Sequence, residues 1–180
     1  MVTKMVGFLY SFECRLFRSL NQHFDKKLLN FYFRHITHVG GALFTISSLL
    51  ILLTIATTQS FRTICIASAL ALAISHIPVA IVKKVYPRKR PYLALQEIRV
   101  GANPLEDHSF PSGHTTAIFS VVTPFILSLP ILAVILVPLA ISVALSRVYL
   151  GLHYPSDVLV GFFLGSTTGV TMFSFLHHLV

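Results

Sequence analysis

Pro111-Ser112-Gly113-His114 stands at the head of the longest uncharged run in the chain, 110–146, which contains no Asp, Glu, Lys or Arg. Read as one helix at 1.5 Å per residue, this run would reach roughly 55 Å, far beyond the ~30 Å hydrocarbon core of a bilayer. Ser128-Leu129-Pro130 therefore divides it into two short spans, at about 112–128 and 131–148. The tetrapeptide itself reads as a helix start. Ser112 is a preferred N-cap, Pro111 keeps the chain extended up to it, and the N–H groups of Gly113, His114 and Thr115 point out of the helix end. Such an end binds anions readily, and Gly113 leaves its backbone open to close approach. An ordinary cap would look the same, so the tetrapeptide gains meaning only from what accompanies it.

Working outward, the chain keeps the same character. Of its 180 residues 54% are hydrophobic and 11% charged, with a mean hydropathy of +0.78. A water-soluble domain would carry roughly 25% charged residues. Upstream, 63–82 reads as a span ending at Lys83-Lys84, and the uncharged stretch 35–61 as another, separated from it by Arg62. Downstream, a last span runs from about Pro155 to His177. In 1–35, Phe8, Phe12, Leu16, Leu20 and Phe24 recur every fourth residue with Glu13, Arg15, Arg18 and Asp25 between them. That is an amphipathic helical pattern. Submerging its charges would cost about 2.5–3.5 kcal/mol each near the bilayer centre, so an interfacial position is cheaper. The expected fold is an all-α integral membrane bundle with five transmembrane helices and an N-terminal amphipathic helix, a sixth span only if that segment inserts. The division is an interfacial segment 1–35 and a transmembrane domain 36–180.

The net charge is +8, and the basic residues cluster: six of the 14 Lys and Arg precede residue 35 and six lie between Lys83 and Arg99. They flank apolar spans, which favours phosphate-bearing lipid head groups over nucleic acid as partners. Cys14 and Cys65 are far apart, with no CxxC or zinc spacing, so neither a disulfide nor a structural metal is indicated. No continuous h-region with a small-residue cleavage site marks a removable signal peptide.

Counting spans brings three motifs to one membrane face. The second span exits at Lys83, the long polar loop returns the chain at Ser112, and the next hairpin comes back at Arg147. Asp157 follows His153 by four residues, close enough to bond one imidazole nitrogen and leave the other free as a nucleophile. Lys83, Arg90 and Arg147 supply charge: guanidinium forks match phosphate oxygens, and a lysine adds a point charge. Phosphoryl transfer asks mainly for positioning and neutralisation, which three cations and a helix N-terminus could provide without a metal or other cofactor, with His114 as the acid for the leaving alkoxide.

Lys83-x6-Arg90-Pro91, Pro111-Ser112-Gly113-His114 and Ser146-Arg147-x5-His153-x3-Asp157 together resemble the signature of the type 2 phosphatidic acid phosphatase (PAP2) superfamily. That group includes bacterial undecaprenyl-pyrophosphate and phosphatidylglycerophosphate phosphatases. The resemblance covers roughly residues 36 to 178. It implies a metal-independent membrane lipid phosphatase in which His153 becomes a phosphohistidine, Asp157 orients it and His114 protonates the leaving group. Lys83, Arg90, Ser112, Gly113 and Arg147 would hold the phosphate. The substrate would be a lipid phosphomonoester or a prenyl diphosphate; phosphatidate, phosphatidylglycerophosphate and undecaprenyl pyrophosphate all fit. Many members have six spans, whereas here a short amphipathic segment replaces the first.

Orientation pulls two ways. If 1–35 does not span, 13 of the 14 Lys and Arg, all but Arg62, share the motif face, which the positive-inside rule makes cytoplasmic. Bacterial relatives commonly place the site outside, and the extracytoplasmic face is the expectation carried forward. Three rival readings stand beside the phosphatase. They are a non-catalytic phospholipid-binding or transport subunit, a Ser–His hydrolase using Ser112 with His153 or His114, and vanadate-dependent oxidation, against which the spans argue. His35, His38 and His76 are read as hydrogen-bonded packing rather than ligands. Gly161, Gly165 and Gly169 form a small-xxx-small face for close helix packing, within the chain or in a homodimer through the last helix.

Overall fold

The structure is a computed structural model that describes residues 2–101 and 104–178. Among the described residues every regular element is helical: α1 (Val2–Asn21), α2 (Lys27–Ile36), a 3-10 turn Thr37–Gly40, α3 (Ala42–Ile55), α4 (Gln59–Val85), the single turn α5 (Pro91–Ala94), α6 (Gly113–Ser128), a 3-10 turn Pro130–Leu132, α7 (Ala133–Tyr149) and α8 (Pro155–His177). Three stretches are long and apolar enough to cross a bilayer, Gln59–Val85, Pro130–Tyr149 and Pro155–His177. The segment expected as one straight span over 35–61 is instead two helical pieces, Lys27–Gly40 and Ala42–Ile55, bent by 56°. Counted as one, they make a fourth.

The bend has a packing cause. A Cβ on Gly40 would lie 2.6 Å from Val143 Cγ1 and 2.9 Å from the His114 carbonyl oxygen, and one on Gly41 3.1 Å from the His38 carbonyl. The chain turns there in contact with both α6 and α7, which carries Thr37 and His38 over the head of α6.

Helix α6 is central. It has 16 residues, and Thr115–Ser120, Val122 and Pro124 are all buried. Ile118, Phe119 and Val122 pack with Ala140, Val143 and Ala144 of α7 to form the apolar core. On the opposite side lies α8, and its glycine face is filled by α6. A Cβ at Gly161 would meet the Ser112 carbonyl oxygen at 2.8 Å, at Gly165 that of Thr116 at 2.4 Å, and at Gly169 the Thr123 Cβ at 2.7 Å. Small residues drive helix association in lipid, because apolar side chains gain nothing by leaving the tails. The glycine stripe is thus used within the chain. Outward-facing Leu43, Ile131, Val134 and Phe163 are left exposed, as a lipid-facing surface requires.

Helix α1 lies across one end of this bundle. Asn21 donates to the carbonyls of Arg99 and Tyr149, Phe17 and Tyr10 flank the Tyr154 ring, and Glu13 bonds Arg88 and Ser156. Every one of these partners sits at the end where α7 stops and α8 begins. The row Phe8, Phe12 and Leu16 points away, exposed.

Candidate active site

Local sequence places each motif. Ser112 caps α6: its hydroxyl oxygen accepts from the Thr115 N–H at 3.5 Å and lies 3.0 Å from the Thr115 hydroxyl. Its own N–H donates to the Asp157 carbonyl at 3.0 Å, tying the head of α6 to that of α8. No atom lies within 4 Å of where a Cβ on Gly113 would stand. Internal packing among the described residues does not demand glycine there, which leaves room beside the head of α6.

Gly151 has φ +79°, the left-handed conformation that turns the chain sharply after α7. A Cβ there would meet the Arg99 carbonyl oxygen at 2.6 Å. The Leu152 and His153 N–H groups then both donate to the Arg147 carbonyl at 3.1 Å. The position of the His153 imidazole is therefore set by the backbone of Arg147.

His153 is 2% exposed, and its Nε2 accepts from Arg90 NH1 at 3.1 Å. A guanidinium has no lone pair to offer, so Nε2 carries the lone pair and the proton sits on Nδ1. Nδ1 faces Asp157 Oδ2 at 3.6 Å, an ion-pair distance but longer than a hydrogen bond. The expected Asp157–His153 pairing is present in loosened form because other donors occupy the carboxylate. Arg88 donates at 2.6 Å, the Tyr154 N–H at 2.8 Å, and Ser109 through its hydroxyl. Burial holds the His153 imidazole at about 4, helped by Arg147 and Arg90 and opposed by Asp157.

The cations converge. Arg90, 1% exposed, also donates to the Leu152 carbonyl at 2.8 Å and to the Asp107 carbonyl and carboxylate at 2.7 and 2.6 Å. Lys83 donates to the same Asp107 carboxylate. Partial burial raises the Asp107 pKa, but the hydrogen bonds from Lys83 and Arg90 outweigh it and hold the group at about 2. Asp107 thus lies across two of the residues expected to grip a phosphate. Arg147, 2% exposed, donates NH1 to the Thr37 hydroxyl at 2.7 Å, while its Nε and NH2 are buried without a partner among the described residues.

Two cavities meet at His114. One, about 350 Å³, is lined by Arg34, Thr37, His38, His114, Arg147 and Leu152 among others. The other, about 480 Å³, runs between α3, α4 and α6 along Ile46, Leu49, Leu50, Leu53, Leu72 and Ala117, with Gly113 and His114 at its end. A charged head and an apolar tail could be accommodated side by side.

All eight residues singled out in the sequence gather at this end of the bundle. His76 and His35 are satisfied by the Leu72 and Phe31 carbonyls, as packing histidines are. His38 instead lines the polar cavity. Thr37, Arg88, Asp107 and Ser109 join the site without a motif to announce them; Arg88 is one of the six basic residues between Lys83 and Arg99, and Asp107 lies in the same polar loop. No local pattern marks them, because each acts through partners far away in the chain.

A bundle of apolar helices that gathers a buried cluster of cations at one end is an arrangement suited to an anionic ligand at a membrane boundary. A profile of the PAP2 superfamily matches residues 62–179, roughly two thirds of the chain, and the protein belongs to that superfamily. It is 39% identical over 98 residues to decaprenylphosphoryl-5-phosphoribose phosphatase of Mycobacterium tuberculosis, covering 53% of this chain and 52% of that one. The chain matches about half the length of such curated relatives. Among solved structures it resembles LpxE of Aquifex aeolicus, with TM-score 0.75 and 28% identity over 89% of this chain and 94% of that one. It shares its fold with the PAP2-type phosphatidylglycerolphosphate phosphatase of Bacillus subtilis, with TM-score 0.77 and 23% identity over 96% and 88%.

Proposed function

We propose that this chain is a five-span membrane phosphatase that removes the terminal phosphate of a lipid phosphomonoester or prenyl diphosphate through a phosphohistidine on His153. The second limb of the bent pair, α3 with the 3-10 turn before it, and α6 count as spans, and 1–35 is an interfacial segment attached to the transmembrane domain 36–180. The observation that carries this reading is Arg147. A guanidinium whose Nε and NH2 are buried with no partner among the described residues, in a cluster with Arg90, Lys83 and a helix N-terminus, supports the reading of an anion-binding site. Placing the site on the extracytoplasmic face follows the family resemblance, against the distribution of basic residues.

In this mechanism the phosphate displaces Asp107 from Lys83 and Arg90 and takes up the free donors of Arg147. Drawing Arg90 onto the phosphate uncovers the His153 Nε2 lone pair, which attacks phosphorus. The bond from phosphorus to the lipid oxygen breaks, its electron pair leaves on that oxygen, and His114 supplies the proton. Positive charge on the imidazole is offset by Asp157 across Nδ1–H. Water activated by His114 then cleaves the P–N bond and releases inorganic phosphate.

Purified protein in detergent with excess chelator should release phosphate from one or more of phosphatidate, phosphatidylglycerophosphate and a prenyl diphosphate. Phospholipid binding with no release from any of the three would make the chain a binding or transport subunit. Two further results are expected. Neutral His153 predominates above about 4 and is lost as the pH falls through that value. The acid limb of kcat/KM, corrected for ionisation of the substrate phosphate, should therefore fall near 4 rather than near the ordinary histidine value of about 6.5. Asp107→Asn should lower KM. Its carboxylate is 53% exposed, so the pairs that substrate must break are worth at most about 1 kcal/mol, or about five-fold in KM. A rise in KM would instead make Asp107 part of the substrate grip.

A further inference from the structure

The phosphatase reading accounts for His153 and Asp157 but leaves unused the charges packed behind them. Asp157 Oδ1 accepts from Arg88 NH1 at 2.6 Å, and the same NH1 donates to the Ser156 hydroxyl at 2.8 Å. Arg88 NH2 donates to Glu13 Oε1 at 2.5 Å, and Ser156 donates to Glu13 Oε2 at 2.5 Å. Glu13, Arg88 and Ser156 thus form a closed ring, joined through Arg88 to the carboxylate that faces the His153 Nδ1–H. The guanidinium carbon of Arg88 lies 3.9 Å from the centroid of the Tyr154 ring, which α1 flanks with Tyr10 and Phe17. Arg88 therefore has little freedom to move out toward water.

We infer that Glu13 is a positioning residue for the reaction, acting from the N-terminal helix by sharing the positive charge of Arg88 and so leaving more of the negative charge of Asp157 to His153. The inference rests on the phosphohistidine reading. Its physical basis is a single positive charge shared between two carboxylates. With Glu13 present, Arg88 is neutralised from behind and Asp157 keeps its negative charge for the imidazole. Without it, the full charge of Arg88 is directed at Asp157, in surroundings where Arg88 and Glu13 are only 17% and 14% exposed and screening is weak. The positive charge that develops on the imidazole as Nε2 bonds phosphorus would then lose its counterpart. Glu13 touches neither cavity that meets at His114, so ground-state binding of the phosphate should not change.

The test is steady-state kinetics on Glu13→Gln, Glu13→Asp, Arg88→Met and the double variant Glu13→Gln/Arg88→Met, beside wild type and His153→Ala. Glu13→Gln keeps shape and hydrogen-bonding capacity while removing the charge. It is expected to lower kcat about ten-fold, the size of a coupling in one charge network, with KM within about two-fold of wild type. Glu13→Asp, which keeps the charge, should recover most of kcat. In the Arg88→Met background Glu13→Gln should have no further effect, because the residue it acts through is gone. An unchanged kcat in Glu13→Gln, a rise in KM, effects that multiply in the double variant, or a Glu13→Gln protein that no longer folds would each overturn the inference. Wild type that releases no phosphate, or His153→Ala that still does, would overturn the phosphatase mechanism and this inference with it. Active wild type, inactive His153→Ala and unaffected Glu13→Gln would overturn this inference alone.

Discussion

His153→Ala is expected to reduce phosphate release by about 10⁴-fold or more, the scale seen when a covalent nucleophile is removed from a site whose members act as a unit. The geometry gives no substitute. The imidazoles that line the polar cavity belong to His38, in the 3-10 turn Thr37–Gly40, and to His114, in the first turn of α6, whereas His153 is fixed by the N–H donations of Leu152 and His153 to the Arg147 carbonyl and faces Arg90 through Nε2. The variant should still fold. The α7–α8 turn is held by backbone hydrogen bonds and by Asn21, none of which involve the imidazole. Single-turnover experiments quenched in alkali, where a phosphohistidine survives, should trap labelled protein from wild type and none from His153→Ala. A variant that releases phosphate at a rate near wild type would exclude His153 as nucleophile.

Arg147→Met should separate activity from stability. Truncating one partner of a buried charge pair typically costs 2–5 kcal/mol or more, so loss of the Arg147 grip should lower kcat/KM by about 10²–10³-fold. The ligand-free protein should not suffer in proportion. Arg147 is 2% exposed, has one hydrogen bond to Thr37, and leaves Nε and NH2 unpaired among the described residues. No carboxylate is salt-bridged to Arg147 among the described residues, so the substitution leaves no counter-charge stranded and removes the desolvation cost of a buried guanidinium. Thermal unfolding in detergent should thus show an unchanged or higher Tm for Arg147→Met beside a nearly inactive enzyme. Arg147→Lys should not restore activity, since a shorter point charge cannot reproduce the two-pronged contact. Retention of kcat/KM within about ten-fold would remove Arg147 from the phosphate site.

Much of the site was legible because its parts are local. The order of charged breaks and uncharged runs brings Lys83, Ser112 and Arg147 to one end. That inference needs only the rise of a helix and the thickness of a bilayer. Within each motif, capping and turn chemistry do the rest, as with Ser112 at the head of α6 and Gly151 before His153. The bend at Gly40-Gly41 was not legible. It depends on Val143 and the His114 backbone, 103 and 74 positions further along the chain, pressing against Gly40, and it is what delivers Thr37 to Arg147 and His38 to the cavity.

Helix α1 marks the boundary most clearly. Its sequence determined that it would be an amphipathic helix, with Phe8, Phe12 and Leu16 along one side. Only the tertiary structure decided which side meets the protein. The apolar row is exposed, and the docking face is Glu13, Cys14, Phe17 and Asn21. In water the apolar row would be the one to bury. In a bilayer, tails solvate that row as well as a protein core would, and the gain comes from polar groups finding partners. Those partners, Arg88, Ser156 and the carbonyls of Arg99 and Tyr149, come together only when the bundle has formed.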